Sequence, residues 1–163
     1  MRRALQLTLA ALALALFTSG CGFHLQGRTP LPQSMKVPCV IARDRQSEFV
    51  QNLRKALQRS GAQLTEHSTE ASAIVRIDKD EVTRIVLAVS PNNVPAEYEL
   101  TYTVSFTVIA AGKDVLPAQE VSATRDFSFD EHALLAKDNE EQILREGLAH
   151  DLVDVVMRRL SSL

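Results

Sequence analysis

Between Glu97 and Ala110 every second residue is apolar. Tyr98, Leu100, Tyr102, Val104, Phe106 and Val108 alternate with Glu99, Thr101, Thr103, Ser105 and Thr107. A period of two belongs to a strand with one buried and one solvated face. At ~3.4 Å per residue the run extends about 50 Å, far beyond a usual strand. Ala111-Gly112-Lys113-Asp114 reads as a turn, after which Val121, Ala123, Arg125, Phe127 and Phe129 alternate again. The two runs predict a long antiparallel hairpin. Upstream, Ala73 to Ser90 is rich in β-branched residues, with Val75 and Ile77, then Ile85, Leu87 and Val89, in alternation. The polar interval Asp78-Lys79-Asp80-Glu81 either divides it into two strands or marks a bulge. Residues 90–96 (SPNNVPA) are a loop. Met35 to Ala42 reads as a strand, with Val37, Cys39 and Ile41 on one face. Pro38 cannot donate to a ladder and places that strand at an edge.

Two segments carry the helical period instead. Ser47 can cap a helix whose Phe49, Val50, Leu53, Ala56 and Leu57 share a face, and Gly61 supplies its stop. Asp138 and Glu141 have the spacing of a capping pair before a last helix with Leu144, Leu148, Leu152, Val155, Val156 and Leu160 in a stripe. Arg158 and Arg159 sit where the helix dipole favours cations. Two amphipathic helices need one shared apolar surface, and the strands offer it. The fold class is therefore α+β: a two-layer sandwich, two helices packed on a roughly four-stranded mixed or antiparallel sheet. Its other face is open to something polar. Residues 36–163 form this single domain.

The first residues follow another grammar. Arg2-Arg3, an apolar stretch from Ala4 to Phe17 and the triplet Thr18-Ser19-Gly20 make residues 1–20 a signal peptide, too short to span a bilayer. Thr18-Ser19-Gly20-Cys21 resembles a bacterial lipobox, although leucine is usual where Thr18 stands. Ordinary cleavage after Gly20, with an incidental thiol, is the other reading. Acylation of Cys21, with S-diacylglycerol and an N-acyl chain, would anchor the protein far more firmly than one myristoyl group does. Residues 21–35, with Gly22, Gly27, Pro30 and Pro32 and no period, are then a lipidated tether. Gly22 follows the cysteine, and the aspartate typical of inner-membrane retention is absent. The lipobox likeness thus implies the periplasmic face of an outer membrane.

Composition now means something different. The 163-residue total has net charge −2, but residues 1–20 hold two arginines and no acid, so the remainder carries −4. That argues against a basic nucleic-acid binder. With no second long apolar stretch the chain is not polytopic, and two cysteines make no disulfide scaffold. Cys39 is left without an intrachain partner if Cys21 is lipidated, and reads as a buried structural thiol rather than a reactive one. His24, His67, His132 and His150 lack ligand spacing, and Asp78-Lys79-Asp80-Glu81 lacks the glycine of a calcium loop and reads as a solvated hairpin end. No nucleophile elbow, P-loop or zinc-protease motif occurs. Neither catalytic nor metal-ligating residues are assigned, no cofactor is expected beyond the covalent lipid, and the chain reads as a non-enzyme.

Charge is unevenly spread. Residues 36–59 hold six basic side chains, Lys36, Arg43, Arg45, Arg54, Lys55 and Arg59, against two acids, whereas residues 60–141 hold six basic and fifteen acidic. The first helix and its preceding loop can offer a cationic patch to phosphates, or simply a solvated face. Arg125 falls in phase with apolar neighbours. Such an arginine is paired, snorkelling or near the end of the core, unless a bulge turns it to solvent.

Several stretches together resemble one family. Cys21-Gly22-Phe23-His24-Leu25-Gln26-Gly27 is similar to the mature start of LPS-assembly lipoproteins of the LptE family, with Gln26 where arginine is usual. Pro32-Gln33-Ser34-Met35-Lys36-Val37 resembles the family's approach to its first strand, and Ala96-Glu97-Tyr98-Glu99-Leu100 its A-E-Y strand. Leu135-Ala136-Lys137-Asp138-Asn139-Glu140 resembles the segment before its last helix, and Arg158-Arg159-Leu160 its basic end. The likeness spans nearly the whole mature chain in order. It implies two helices against a four-stranded sheet. It further implies an outer-membrane lipoprotein that plugs an LptD β-barrel as a 1:1 heteromer, helps it assemble and takes part in lipopolysaccharide delivery. Lipopolysaccharide binding through basic residues is implied too, with Lys137 first, Arg125 second, and Arg54 and Lys55 as further candidates. The loop Ser90-Pro91-Asn92-Asn93 has no basic residue. A stand-alone periplasmic lipid or glycan carrier is the alternative, and it would need an internal apolar pocket.

Overall fold

A computed structural model describes residues 30–128 and 134–163, with side chains from 140 onward in the second stretch. A 3-10 turn, Gln33–Met35, leads into β1 (Pro38–Ala42), then α1 (Glu48–Arg59), β2 (Ala73–Val89), β3 (Pro95–Ala110), β4 (Lys113–Ser128) and α2 (Leu134–Ser161). The sheet order is β1-β2-β3-β4. β1 pairs parallel to β2, whereas β2, β3 and β4 form an antiparallel meander. The mixed sheet and two helices are the expected two-layer α+β arrangement. The leader expected over residues 1–20, Cys21, the expected tether up to residue 29 and Phe129 lie outside the described residues.

One core joins the layers. Phe49, Val50, Leu53 and Leu57 of α1 and Leu148, Leu152, Val156 and Leu160 of α2 pack with Val75, Leu100, Val104, Phe106 and Val108 of the sheet. Ser47 caps α1 by accepting from the Val50 N–H at 3.2 Å, and Gly61 follows the helix at φ 92°, a conformation open to glycine without strain.

Four local expectations are corrected. β1 starts at Pro38 rather than Met35, because Met35 closes the 3-10 turn and is fully buried there. Its core-facing residue is Val40 and not Cys39: Cys39 stands beside Ile74 on the opposite side, buried all the same, while Ile41 is exposed. The β3–β4 turn is only Ala111-Gly112, both at positive φ, with Ala110 opposite Lys113, so β4 begins earlier than its apolar alternation suggests. Finally, α2 begins at Leu134, so Asp138 and Glu141 lie within the helix and do not cap it.

β2 is one continuous strand, and its polar interval is a bulge in mid-strand rather than a hairpin end. The register with β3 slips between Ile77 and Lys79. Ala73, Val75 and Ile77 face the helices before the slip. Beyond it the even residues do, with Asp80 opposite Val104, Val82 opposite Tyr102 and Arg84 opposite Leu100. An inserted residue reverses the pleat phase. Ile85 consequently stands on the helix-free face, and Leu87 and Val89, at two further register slips, are exposed as well instead of joining the core.

The bulge is held by its carboxylates. Asp78 accepts from Arg76 Nε and Thr107 Oγ1, each at 2.8 Å. Asp80 accepts from the Tyr102 hydroxyl at 2.7 Å and from Ser47 Oγ at 2.5 Å. The residue that caps α1 is thereby tied to the strand beneath it.

Candidate functional site

The helix-free face of the sheet is built from hydroxyl and charged side chains because β3 and β4 alternate strictly over most of their length. Across the strands the register makes rows: Lys79–Ser105–Glu120, Glu81–Thr103–Ser122, Thr83–Thr101–Thr124 and Ile85–Glu99–Asp126. Thr101 Oγ1 and Thr124 Oγ1 lie 3.1 Å apart in one hydrogen bond. β-Branched hydroxyl residues keep strand propensity while presenting donors and acceptors, so a long sheet can meet a wet surface. Glu81, Glu97, Glu99 and Asp126 make the half toward the β2–β3 loop acidic.

On the helix side, the same end of the sheet forms an open polar recess of about 480 Å³ lined by Glu48, Arg84, Glu141, Gln142 and Arg145. Arg84 leaves β2 with its Cζ 4.9 Å above the Tyr98 ring, which stacks on Phe127 at 5.5 Å. It donates to Glu141 at 2.7 Å, and Arg145, one turn along α2, donates to the other Glu141 oxygen at 2.7 Å. Burial alone would raise the Glu141 pKa. The hydrogen bonds from Arg145 and Arg84 outweigh it and hold the carboxyl below its ordinary range. Glu48 goes the other way, raised first by burial and then by the nearby Glu146. Glu141 is thus a fixed anion shared by two arginines. Such a cluster fastens α2 to the far end of β2. Among the described residues no group of histidine, cysteine and carboxylate side chains could hold a metal.

Of the residues proposed from the sequence, Arg125 does not converge with Arg54 and Lys55. Arg125 sits on β4 opposite Leu100 and keeps its helix-side phase, because the β3–β4 irregularity lies farther along, between Phe106 and Ile109. It is paired, donating to Asp151 of α2 at 2.8 Å, with more than half of its side chain exposed. Arg54 and Lys55 follow one another on α1, at the opposite edge of the sheet. Arg54 shares Glu66 with Arg45, which neutralises part of the expected cationic patch, and Lys55 is exposed. Lys137 belongs to the first turns of α2, and its side chain lies outside the described residues. Arg84 and Arg145 went unnoticed in the sequence, and Glu141 was read only as half of a capping pair. Only their connection through the bulged β2 brings them together, although the threonine alternation of the open face was plain.

Comparison with known proteins follows this geometry. The family model for LptE, described as Lipopolysaccharide-assembly, matches residues 36–160. The LPS-assembly lipoprotein LptE of Pectobacterium atrosepticum is 27% identical over 146 residues, covering 89% of this chain and 79% of that protein. Its counterpart in Yersinia enterocolitica is 27% identical over 161 residues, covering 98% and 77%. Among solved structures, the rare lipoprotein B of Shewanella oneidensis superposes with a TM-score of 0.66 at 25% identity, covering 77% of this chain and 94% of that one. The uncharacterized lipoprotein B of Nitrosomonas europaea gives 0.71 at 24% identity, covering 86% and 91%, and shows the same fold.

Proposed function

Because this chain belongs to the LptE family, we propose that it is an outer-membrane lipoprotein that plugs an LptD-type β-barrel, assists its assembly and takes part in carrying lipopolysaccharide to the outer leaflet. Residues 1–20 direct export, Cys21 carries the S-diacylglycerol and N-acyl chains, and residues 21–35 tether the 36–163 domain to the periplasmic face of the membrane. The domain acts by contact and carries out no catalysis.

The observation that carries this reading is the helix-free sheet face, with its rows of Thr, Ser and Glu across three strands. Barrel lumens of outer-membrane type are polar and water-accessible. A plug therefore needs a rigid wall that satisfies hydrogen bonds at its surface, and rows such as Thr83–Thr101–Thr124 provide one. A stand-alone acyl-chain carrier would need an apolar cavity. The recess described above is instead open and lined by two arginines, two glutamates and a glutamine. Lys137, Arg125, Arg54 and Lys55 are the basic residues assigned to lipopolysaccharide phosphates, with Lys137 foremost.

The test is affinity purification of the tagged full chain from detergent-solubilised outer membranes. Recovery of a large β-barrel in equal amount supports the plug. Recovery of the chain alone, at undiminished yield, overturns it. The intact mass of the purified protein checks Cys21 separately, since a triacylated cysteine and a free thiol differ by one glyceryl group and three acyl chains.

A further inference from the structure

The sheet has two outer edges, and the sequence treats them differently. β4 is guarded: Pro117 offers no N–H, and the Gln119 side-chain amide donates back to the Pro117 and Ala118 carbonyls at 3.2 and 3.3 Å. The register slips alongside, which further breaks the ladder. β2 is covered by a neighbouring strand for only part of its length, and its own register with β3 slips at Ile77–Lys79 and again between Val86 and Val89. β1 covers Ala73 to Ile77 and stops. From Lys79 to Val89, among the described residues, the outward backbone groups of β2 have no sheet neighbour and no loop hydrogen bond. At ~3.4 Å per residue this is an open edge of well over 30 Å.

The last five side chains of this edge do not discourage pairing, whereas Lys79, Asp80, Glu81 and Arg84 are charged. Ile85-Val86-Leu87-Ala88-Val89 contains neither charge nor proline, and Ile85, Val86, Leu87 and Val89 are each close to half exposed or more. Val82 and Val86 face the helix side on either flank of Arg84, which is turned onto Tyr98 and Glu141, so a strand laid beside β2 would find two aliphatic neighbours there. On the other face it would lie next to Glu81, Thr83 and Ile85, with Glu99 and Asp126 farther along the Ile85 row and Glu97 nearby. Four carboxylates lie on this half of that face against one cation at its border, Lys79, which pairs with Glu81 at 3.6 Å. A strand with aliphatic residues on one face and lysines on the other fits both: its lysine stems lie along Ile85 and their ammonium groups reach the acids.

We propose that the outer edge of β2 from Lys79 to Val89 is a strand-addition site for an extended segment of a partner polypeptide that alternates aliphatic and basic residues. Main-chain hydrogen bonds supply the pairing, and the acidic rows select the basic face. This rests on the unguarded edge and its charges, and stands or falls independently of the barrel reading.

The probe is an end-capped synthetic peptide alternating valine and lysine, added to the full-length protein in non-ionic detergent and followed by amide hydrogen exchange. The expected result is slowing of the outward β2 amides between Lys79 and Val89 by roughly tenfold or more, with α1 unchanged. The same peptide with proline in place of each valine, or glutamate in place of each lysine, gives no slowing. Absence of slowing with the valine–lysine peptide overturns the proposal, as does equal slowing by the glutamate peptide. Slowing that needs no peptide and grows with protein concentration would assign the edge to a second copy of the chain, and overturns it too.

Discussion

Tyr102 donates its hydroxyl hydrogen to Asp80 over 2.7 Å, joining β3 to the residue that the β2 bulge has turned toward the helices. Asp80 also accepts from Ser47, the N-cap of α1. One carboxylate therefore links sheet, bulge and helix. Asp80→Ala removes both acceptors and leaves the hydroxyl of the buried Tyr102 unmatched, so urea unfolding should show a loss of about 2–3 kcal/mol. Tyr102→Phe alone should cost about 1 kcal/mol, and close to nothing in the Asp80→Ala background. Additive losses in the double variant would show that the two groups act independently.

The same pair sets an alkaline limit. Burial first, and the bond to Asp80 second, push the Tyr102 hydroxyl well above its ordinary pKa. A group whose folded-state pKa is raised keeps its contribution below the unfolded pKa and loses it as pH rises beyond that. Unfolding strips the proton from Tyr102 at about pH 10, so stability should decline above this value. Tyr102→Phe should flatten that decline while leaving the curve between pH 7 and 9 parallel. A decline of unchanged slope in the variant would assign the alkaline sensitivity to other groups.

The two glutamates of the polar recess should respond to pH with opposite sign. Glu141 is depressed, so its contribution is present above the unfolded glutamate pKa of about 4.3 and fades as pH falls through the lower folded value. Glu141→Gln weakens the hold on Arg84 and Arg145, both more than a third exposed, and should cost no more than about 1 kcal/mol at pH 7. Glu48 is raised, so ionising it opposes folding as pH rises. Glu48→Gln should therefore leave stability at pH 7 unchanged or higher, and should reduce the gain seen on acidifying. Thermal melts from about pH 2 to pH 7 distinguish the two signs.

The apolar alternation of β3 and the stripe of α1 were legible because each is set by one period and one buried face. β2 was less so. Its apolar residues at 75, 77, 85, 87 and 89 share one parity in the sequence, but an inserted residue at Asp78 reverses the pleat before Ile85, and two further slips between Val86 and Val89 disturb the phase again, with all three later residues exposed. Periodicity cannot register a bulge whose extra residue is as polar as its neighbours. The Asp138–Glu141 spacing misled for a related reason: it satisfies a capping pattern, yet Glu141 is used in mid-helix by Arg84 from β2, a partner far away in sequence. Arg125 allowed two readings until Asp151 of α2 was placed beside it.

For lipopolysaccharide, the comparison of lysines at two ends of the domain is informative. Lys113 closes the β3–β4 turn, while Lys137 lies in the first turns of α2. Lys137→Asp should weaken binding of purified lipopolysaccharide more than Lys113→Asp, although both change the net charge equally. Equal affinities would remove Lys137 from the site. Arg125→Ala serves as a companion, because its pair with Asp151 is more than half exposed and contributes at most about 1 kcal/mol to folding. Any sizeable loss of binding in that variant then reports contact with the ligand rather than unfolding.

The β3–β4 turn contains a residue that can be improved. Ala111 and Gly112 occupy φ 50° and 73°, and Ala110 faces Lys113 across the hairpin. Two residues at positive φ match the twist of a tight antiparallel hairpin, and asparagine followed by glycine suits it best. In Ala111 the Cβ crowds the backbone in this left-handed conformation, at roughly 1 kcal/mol, whereas asparagine adopts it more readily. Ala111→Asn should raise the urea midpoint by an amount equivalent to about 0.5–1 kcal/mol. Gly112→Ala should lower it by about 1 kcal/mol, although a Cβ there would meet nothing within 4 Å. The loss would therefore come from backbone conformation and not from collision. If Ala111→Asn instead destabilises the protein while Gly112→Ala is neutral, the turn does not hold both residues at positive φ in solution.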